Sequence, residues 1–202
     1  MILVSSGTPG DDTSFSARHR GSAYPDRTIR LFPDLLSKPP YPFRQGDPLS
    51  PELLSRYAEE IRDEPLEYAF VFDRSGSFLR KLIGEEERIR FWHRELLSLH
   101  HTIFLHNHPR GSSFSFADIE AACVFEMRCI SVVTGGEIHL MMPPAGEEFF
   151  SRRLLHDISR CYRIRSHFLP VSHRLQPSIS IWNIVARDLD LRLWRIPLRQ
   201  VS

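Results

Sequence analysis

The sequence lacks several features that would place a chain in a large class of proteins at once. Only 3 of its 202 residues are cysteine, an odd number and too few for a disulfide framework. No apolar run reaches the roughly 18 residues that a membrane-spanning helix needs, so we expect no membrane span. The apolar start Met1-Ile2-Leu3-Val4 turns polar too soon for a secretory signal. We therefore expect a cytoplasmic protein, with export by another route left open.

Common catalytic motifs are missing as well. The chain contains no H-E-x-x-H, no Walker loop and no G-x-S-x-G, which argues against the corresponding proteases, nucleotide-binding proteins and serine hydrolases. At 202 residues it is also shorter than a (β/α)₈ barrel of about 250 residues. This length argues against the amidohydrolases, whose H-x-H pair lies on a barrel strand.

Charge is nearly balanced overall but unevenly distributed. Residues 51–150 carry ten basic and seventeen acidic side chains, whereas residues 151–202 carry ten basic and three acidic ones. The basic quarter suits either nucleic acid or the acidic middle of its own fold. We favour the second interpretation, because the aromatic and basic residues are not interleaved as in known nucleic-acid modules.

The first 46 residues differ in composition from the rest. They are rich in Gly, Ser, Pro, Asp and Arg and show no sustained hydrophobic period, which predicts a flexible arm. Residues 47–202 then form one predicted domain, with a basic C-terminal extension from about residue 151.

Within this domain, hydrophobic periodicity predicts alternating helices and strands. Ser50-Pro51 is a helix start, and Gly135-Gly136 predicts a hairpin turn. Helices are predicted from residue 51, over 86–100, from 115, over 150–161 and near 178–188; strands are predicted at 67–73, 78–83, 102–106, 129–134, 137–142 and near 190–196. The pattern indicates an α/β (α+β) fold with a mixed β-sheet flanked by helices.

The most informative stretch runs from His106 to Asp118. His106 and His108 are two apart at the end of a predicted strand, so both imidazoles point to one face. Ser115 then opens a helix and places Asp118 in its first turn. Two histidines and one carboxylate, with a fourth position open, are the ligands of a catalytic zinc ion, which lowers the pKa of bound water to about 7.

Hydrolysis at such a centre also needs a base that is not a ligand. Glu67 opens an apolar strand and is our candidate to move the proton, with Asp63 and Glu64 as close alternatives. Ser115 is the candidate to stabilise the oxyanion that forms at the attacked carbonyl.

These residues resemble the JAB/MPN superfamily, the JAMM zinc metalloproteases, whose pattern is an upstream Glu, then H-x-H, then S-x-x-D. The H-N-H-P followed by glycine is similar to the RadC-like and other prokaryotic JAB branches, and the resemblance covers about residues 48–145. It implies a JAB/MPN-like (cytidine-deaminase-like layered) fold. It also implies one Zn²⁺ on His106, His108 and Asp118, Glu67 as general acid/base, and Ser115 as the residue that stabilises the tetrahedral intermediate.

The same resemblance implies the reaction. It is hydrolysis of a peptide or isopeptide bond in a protein or peptide substrate, often at the C-terminus of a ubiquitin-like protein. Residues 137–142 are predicted to offer the sheet edge along which an extended substrate tail lies.

One departure from the family pattern leaves alternatives open. Six residues separate His108 from Ser115, one fewer than in the common pattern, so Ser112 or Ser113 is an alternative for the role given to Ser115. The S-x-x-D alone is also an ordinary helix N-cap. Two other functions stay open at this point: a JAMM-like scaffold without activity, and a RadC-like DNA-associated protein.

Overall fold

The computed structural model of the chain describes residues 2–3, 43, 47–86, 88–91, 93–168 and 179–198. The predicted arm over residues 1–46 therefore lies almost entirely outside the described residues. Its described part includes a short strand, β1 (Ile2–Leu3), which pairs in parallel with β4 (Ile89–Arg90).

A six-stranded mixed sheet organises the fold. Its members are β2 (Tyr68–Phe72), β3 (Phe78–Ile83), β5 (Ile103–Asn107), β6 (Cys129–Val133), β7 (Glu137–Met142) and β8 (Arg192–Pro197). They lie in the order β3-β2-β5-β6-β7-β8, and β5 and β6 run parallel while the other neighbours are antiparallel. Strand β5, which ends beside both histidines, is thus paired on both sides and held in register.

Helices pack on both faces of this sheet. They are α1 (Pro51–Ile61), α2 (His93–Leu96), α3 (Phe116–Val124), α4 (Arg152–His167) and α5 (Ile179–Asp188). Three of them begin at a serine whose hydroxyl accepts a backbone N–H three residues on: Ser50, Ser115 and Ser151. The predicted starts of α1 and α3 are therefore confirmed. No described helix combines the length and apolarity that crossing a membrane requires.

Side-chain alternation along the strands divides the core into two layers. On one face, Phe70, Leu105 and Leu140 pack with α1; on the other, Phe104 and Val132 pack with α3, α4 and α5. The fold is therefore a mixed α/β sandwich with helices on both sides, as predicted. His106 follows Phe104 by two residues and so faces the α3 layer.

The prediction of one continuous helix over residues 86–100 is wrong. In its place the chain forms β4, the single turn α2 and a 3₁₀ turn at Leu97–Leu99. A tight turn, with the Glu85 N–H donating to the Arg88 carbonyl, keeps the start of this segment extended. Ile89 and Leu99 are both buried, as their helical spacing suggested, but from two separate elements.

The prediction that residues 137–142 form an edge of the sheet is also wrong. Strand β7 pairs with β6 on one side and with β8 on the other, so its backbone hydrogen bonds are already satisfied. The edge strands of the six-stranded sheet are β3 and β8. The basic C-terminal region contributes α4, α5 and β8 to the sandwich.

Candidate metal centre

His106 and His108 lie where β5 ends. His106 pairs with Ala69 on β2 and with Val132 on β6, and the His108 N–H continues the pairing by donating to the Val133 carbonyl at 3.2 Å. Both imidazoles project to the α3 side of the sheet and both residues are buried. Their Nε2 atoms are 3.1 Å apart.

Asp118 reaches the same point from the first turn of α3. The Ser115 hydroxyl accepts the Asp118 N–H at 3.2 Å, while the Asp118 Oδ2 accepts the Ser115 N–H at 2.7 Å and its O–H at 2.8 Å. This reciprocal capping box fixes the carboxylate at the helix N-terminus, where the helix dipole stabilises negative charge. The residue is fully buried.

The turn between the two elements accommodates the six-residue spacing between His108 and Ser115. Gly111 has a φ of +70°, which glycine adopts readily, and its N–H donates to the His108 carbonyl at 2.8 Å. The chain turns back within six residues and brings Asp118 against both histidines. The shorter spacing therefore does not separate the predicted ligands.

The three side chains could hold one metal ion. Their candidate ligand atoms lie within 4.8 Å of one another. His106 Nε2 is 3.6 Å from Asp118 Oδ1, and His108 Nε2 is 3.4 Å from Asp118 Oδ2. Together with the 3.1 Å between the two imidazoles, these separations bracket the ~3.3 Å between neighbouring ligands of a tetrahedral zinc ion with bonds of about 2.0–2.1 Å. The donor set fits zinc.

Charge in the cluster is consistent with this donor set. Burial alone would raise the pKa of Asp118, but the adjacent His106 and His108 hold it well below its ordinary value. Burial lowers the pKa of His106. Burial also acts to lower the pKa of His108, but the hydrogen bond and charge of Asp118 outweigh it and raise that pKa. The result is an anionic Asp118 beside a neutral His106, and a metal ion bound here would displace the proton that Asp118 favours on His108.

The other ring nitrogen of His108 is held by backbone. His108 Nδ1 lies 3.1 Å from the carbonyl oxygens of Ser112 and Ser113 and 3.1 Å from the Ser112 hydroxyl. Carbonyl oxygens only accept, so Nδ1 carries a proton, and in the neutral ring Nε2 keeps its lone pair on the side of the cluster. The buried Nδ1 of His106 has no hydrogen-bond partner among the described residues.

The serines near the site differ in what they contact. Ser115 bonds to Asp118, Ser112 bonds to His108, and the Ser113 hydroxyl lies 2.8 Å from His139 Nδ1. Sequence reasoning treated Ser112 and Ser113 only as alternatives to Ser115. In the structure Ser115 contacts Asp118, whereas Ser112 and the Ser113 backbone carbonyl both contact His108 Nδ1.

Glu67 lies beside the cluster and is 3% exposed. Ala69 pairs with His106 in an antiparallel ladder, and Glu67, two residues before Ala69, lies on the same face of the sheet as His106. Burial and Asp118 have the larger effects on the pKa of His108, and the nearby Glu67 carboxylate also raises that pKa. Of the two alternatives, the Asp63 side chain is 80% exposed and ion-pairs with Arg62, and Glu64 is only half-buried.

Asn107 is a site residue that sequence reasoning missed. It is fully buried and faces away from the histidines. Its side-chain Oδ1 accepts the Tyr68 N–H at 2.6 Å, and its Nδ2 donates to the carbonyls of Leu66 at 3.0 Å and Glu64 at 3.4 Å. The amide thus holds the segment that carries Glu67. The signal in the sequence was a polar residue on the face of β5 that is otherwise apolar.

Comparisons of the chain with models of protein families, with curated proteins and with solved structures find no match. The family resemblance therefore rests on the motif residues of the sequence alone.

Proposed function

We propose that this protein is a zinc-dependent hydrolase of peptide or isopeptide bonds, of the JAMM type. The observation that carries the proposal is the convergence of His106, His108 and Asp118 on one buried point, with Glu67 beside them. Zinc bound there would supply an acidified water at neutral pH and polarise the carbonyl to be cleaved. His106, His108 and Asp118 would supply three ligands to the ion. Catalytic zinc sites have three protein ligands and an open position, whereas structural sites have four protein ligands.

Glu67 moves the proton in this proposal. It lies two residues before Ala69, which pairs with His106, and it is not a member of the ligand group. A carboxylate there takes a proton from the attacking water and delivers it to the leaving amine. A positioned general acid/base of this kind contributes about 10²–10⁴-fold to the rate.

Ser115 has two parts in this proposal. Its hydroxyl donates to Asp118 Oδ2, which orients the carboxylate toward the histidines. The predicted oxyanion role requires the hydroxyl to turn from Asp118 toward the substrate carbonyl, while the Ser115 N–H keeps its own bond to Asp118.

The proposed substrate is an extended polypeptide segment, with the tail of a ubiquitin-like protein as the leading candidate. With β7 enclosed, β3 and β8 are the edges left to pair with such a segment. The Gly84 N–H, directly after β3, donates to the Glu67 carbonyl at 2.7 Å. Of the two edge strands, β3 is therefore the one connected directly to Glu67.

The direct test compares wild type with Glu67→Gln on a panel of ubiquitin-like fusions and linear peptides, with and without a chelator. We expect cleavage by wild type, its loss with chelator and its return with Zn²⁺. In Glu67→Gln we expect turnover lowered by about 10²–10⁴-fold with zinc retained. Glu64→Gln, a change of the same chemistry three residues away, serves as the control and keeps its activity.

Three outcomes would contradict the proposal. Cleavage that survives both chelator and Glu67→Gln would remove the mechanism. Stoichiometric zinc without cleavage of any substrate would favour the scaffold function instead, and a steep salt-dependent DNA affinity would favour the DNA-associated one.

A further inference from the structure

A chain of polar side chains leads from the sheet surface to the turn beside His108. The Ser113 hydroxyl lies 2.8 Å from His139 Nδ1, and His139 Nε2 lies 2.8 Å from Glu137 Oε1. Arg195 on β8 donates its Nε to the Glu137 carboxylate at 2.8 and 2.9 Å. We call these four residues the Ser113–Arg195 chain.

Two members of this chain are buried in apolar surroundings. His139 is 3% exposed and Ser113 is 6% exposed, and the ring centroid of the buried Phe114 lies 6.4 Å from that of His139. A buried imidazole is costly unless both nitrogens are bonded, and here both are. His139 lies outside the ligand group of the candidate metal centre, so metal binding does not account for its burial.

The direction of the hydrogen bonds follows from Glu137. Burial raises the pKa of this carboxyl, but bonds from Arg195 and His139 outweigh burial and lower it. An anionic Glu137 accepts the His139 Nε2–H, and when the ring is neutral its Nδ1 is then the acceptor for the Ser113 O–H. Each bond in the chain thus fixes the next.

The Ser113–Arg195 chain ends at Ser113, whose backbone carbonyl contacts a candidate metal ligand. The Ser113 carbonyl is 3.1 Å from His108 Nδ1. The next carbonyl, that of Phe114, accepts the Trp182 indole N–H at 2.7 Å. Ser113 is therefore held through its side chain on one side and through its neighbour's backbone on the other.

We propose that the Ser113–Arg195 chain is a positioning device for His108: it fixes the Ser113 carbonyl, which shares the Nδ1 proton with Ser112 and helps to aim Nε2 at the metal. The inference rests on the proposed zinc site and extends it to residues on β7 and β8. His139 is a positioning residue and touches neither metal nor substrate.

The test measures metal binding without any substrate. Zinc affinity is determined by competition with a chromophoric chelator, and the visible spectrum of the Co²⁺-substituted protein reports ligand geometry. We expect Ser113→Ala and His139→Ala each to weaken zinc binding by about 10-fold and to change the Co²⁺ spectrum, since such outer partners are worth about 10–100-fold. Ser113→Thr keeps the hydroxyl and should restore both readouts.

Further variants separate positioning from general damage. Ser131 is a buried serine on β6 that bonds to Cys129, so Ser131→Ala should leave zinc affinity and spectrum unchanged. The double variant Ser113→Ala/His139→Ala should bind zinc no more weakly than the weaker single variant, because both changes break one chain. Arg195 is at the exposed end, so Arg195→Ala should fold as wild type does and should weaken zinc binding by less than either single variant.

The outcomes distinguish the two proposals. If wild type binds no zinc, the proposed function fails and this inference fails with it. If wild type binds zinc while Ser113→Ala and His139→Ala bind it equally tightly with unchanged Co²⁺ spectra, only the inference is overturned.

Discussion

The candidate site is supported from two sides that are built differently. On its helix side, Ser115 and Asp118 bond to each other across three residues of chain. On its strand side, Asn107 holds the Glu67 segment through bonds to residues 39 to 43 positions away. The helix side forms wherever α3 begins, whereas the strand side exists only when β2 and β5 are paired.

This difference separates two tasks. The helix side sets the orientation of a metal ligand, so its loss should appear mainly in zinc affinity. The strand side sets the position of the proposed acid/base, so its loss should appear in stability and turnover before it appears in zinc affinity.

The largest effect is expected from Asp118→Asn, which removes the anionic ligand of the helix side at constant size. Zinc affinity should fall by more than the roughly 100-fold that changes around ligands cost. The measurement is competition with a chelator. Asp63→Asn removes the same charge from a side chain that is 80% exposed and should bind zinc as wild type does. Equal affinities in the two variants would show that Asp118 is not a ligand.

Asn107→Ser addresses the strand side. The shorter side chain leaves one N–H and two carbonyls in a part-buried setting without their partner, which costs about 1 kcal/mol of unfolding free energy, the lower end of the range for buried groups. Urea unfolding measures this loss, and zinc affinity should stay within about twofold of wild type. Asn183→Ser, on the exposed face of α5, is the control. A loss of zinc as large as that of Asp118→Asn would erase the distinction between the two sides.

Ser115→Ala tests whether the cap of α3 does more than an ordinary cap. Ser50 and Ser151 cap α1 and α4 with the same hydrogen bond, so all three serine-to-alanine variants should lose about 0.5–2 kcal/mol of stability. Ser115→Ala alone should also weaken zinc binding, by about 10-fold. If its zinc affinity matches that of Ser151→Ala, the bond to Asp118 serves only the helix.

Sequence reasoning anticipated the helix side and the strand ends because both are local. Alternation along β5 placed His106 and His108 on one face, and the S-x-x-D pattern placed Asp118 in the first turn of α3. It also located β7 at the bounds observed. These features depend on residues a few positions apart.

The contacts that it missed join distant parts of the chain. The bond between Ser113 and His139 spans 26 residues, and that between Asn107 and Glu64 spans 43. No periodicity encodes such pairs. The helix predicted over residues 86–100 failed for a related reason, since the apolar spacing was real but pairing with β1 and the turn at Glu85 held Ile89 extended.

The smallest effect concerns the cysteines, which neither side of the site uses. Burial raises the pKa of Cys123 on α3 and of Cys129 on β6 to about 12, so only about one thiol in 10⁴ is a thiolate at pH 8. Labelling of the folded protein should therefore modify the half-buried Cys161 first and leave zinc affinity unchanged. Rapid labelling of Cys123 would show that the α3 layer opens.

The central claim is that His106, His108 and Asp118 share one zinc ion. A crystal structure with anomalous data at the zinc edge tests it most directly. The account predicts one peak per chain, about 2.0–2.2 Å from the Nε2 atoms of both histidines and from a carboxylate oxygen of Asp118. No peak at that point from crystals grown with excess Zn²⁺, or a peak held by other residues, would contradict it.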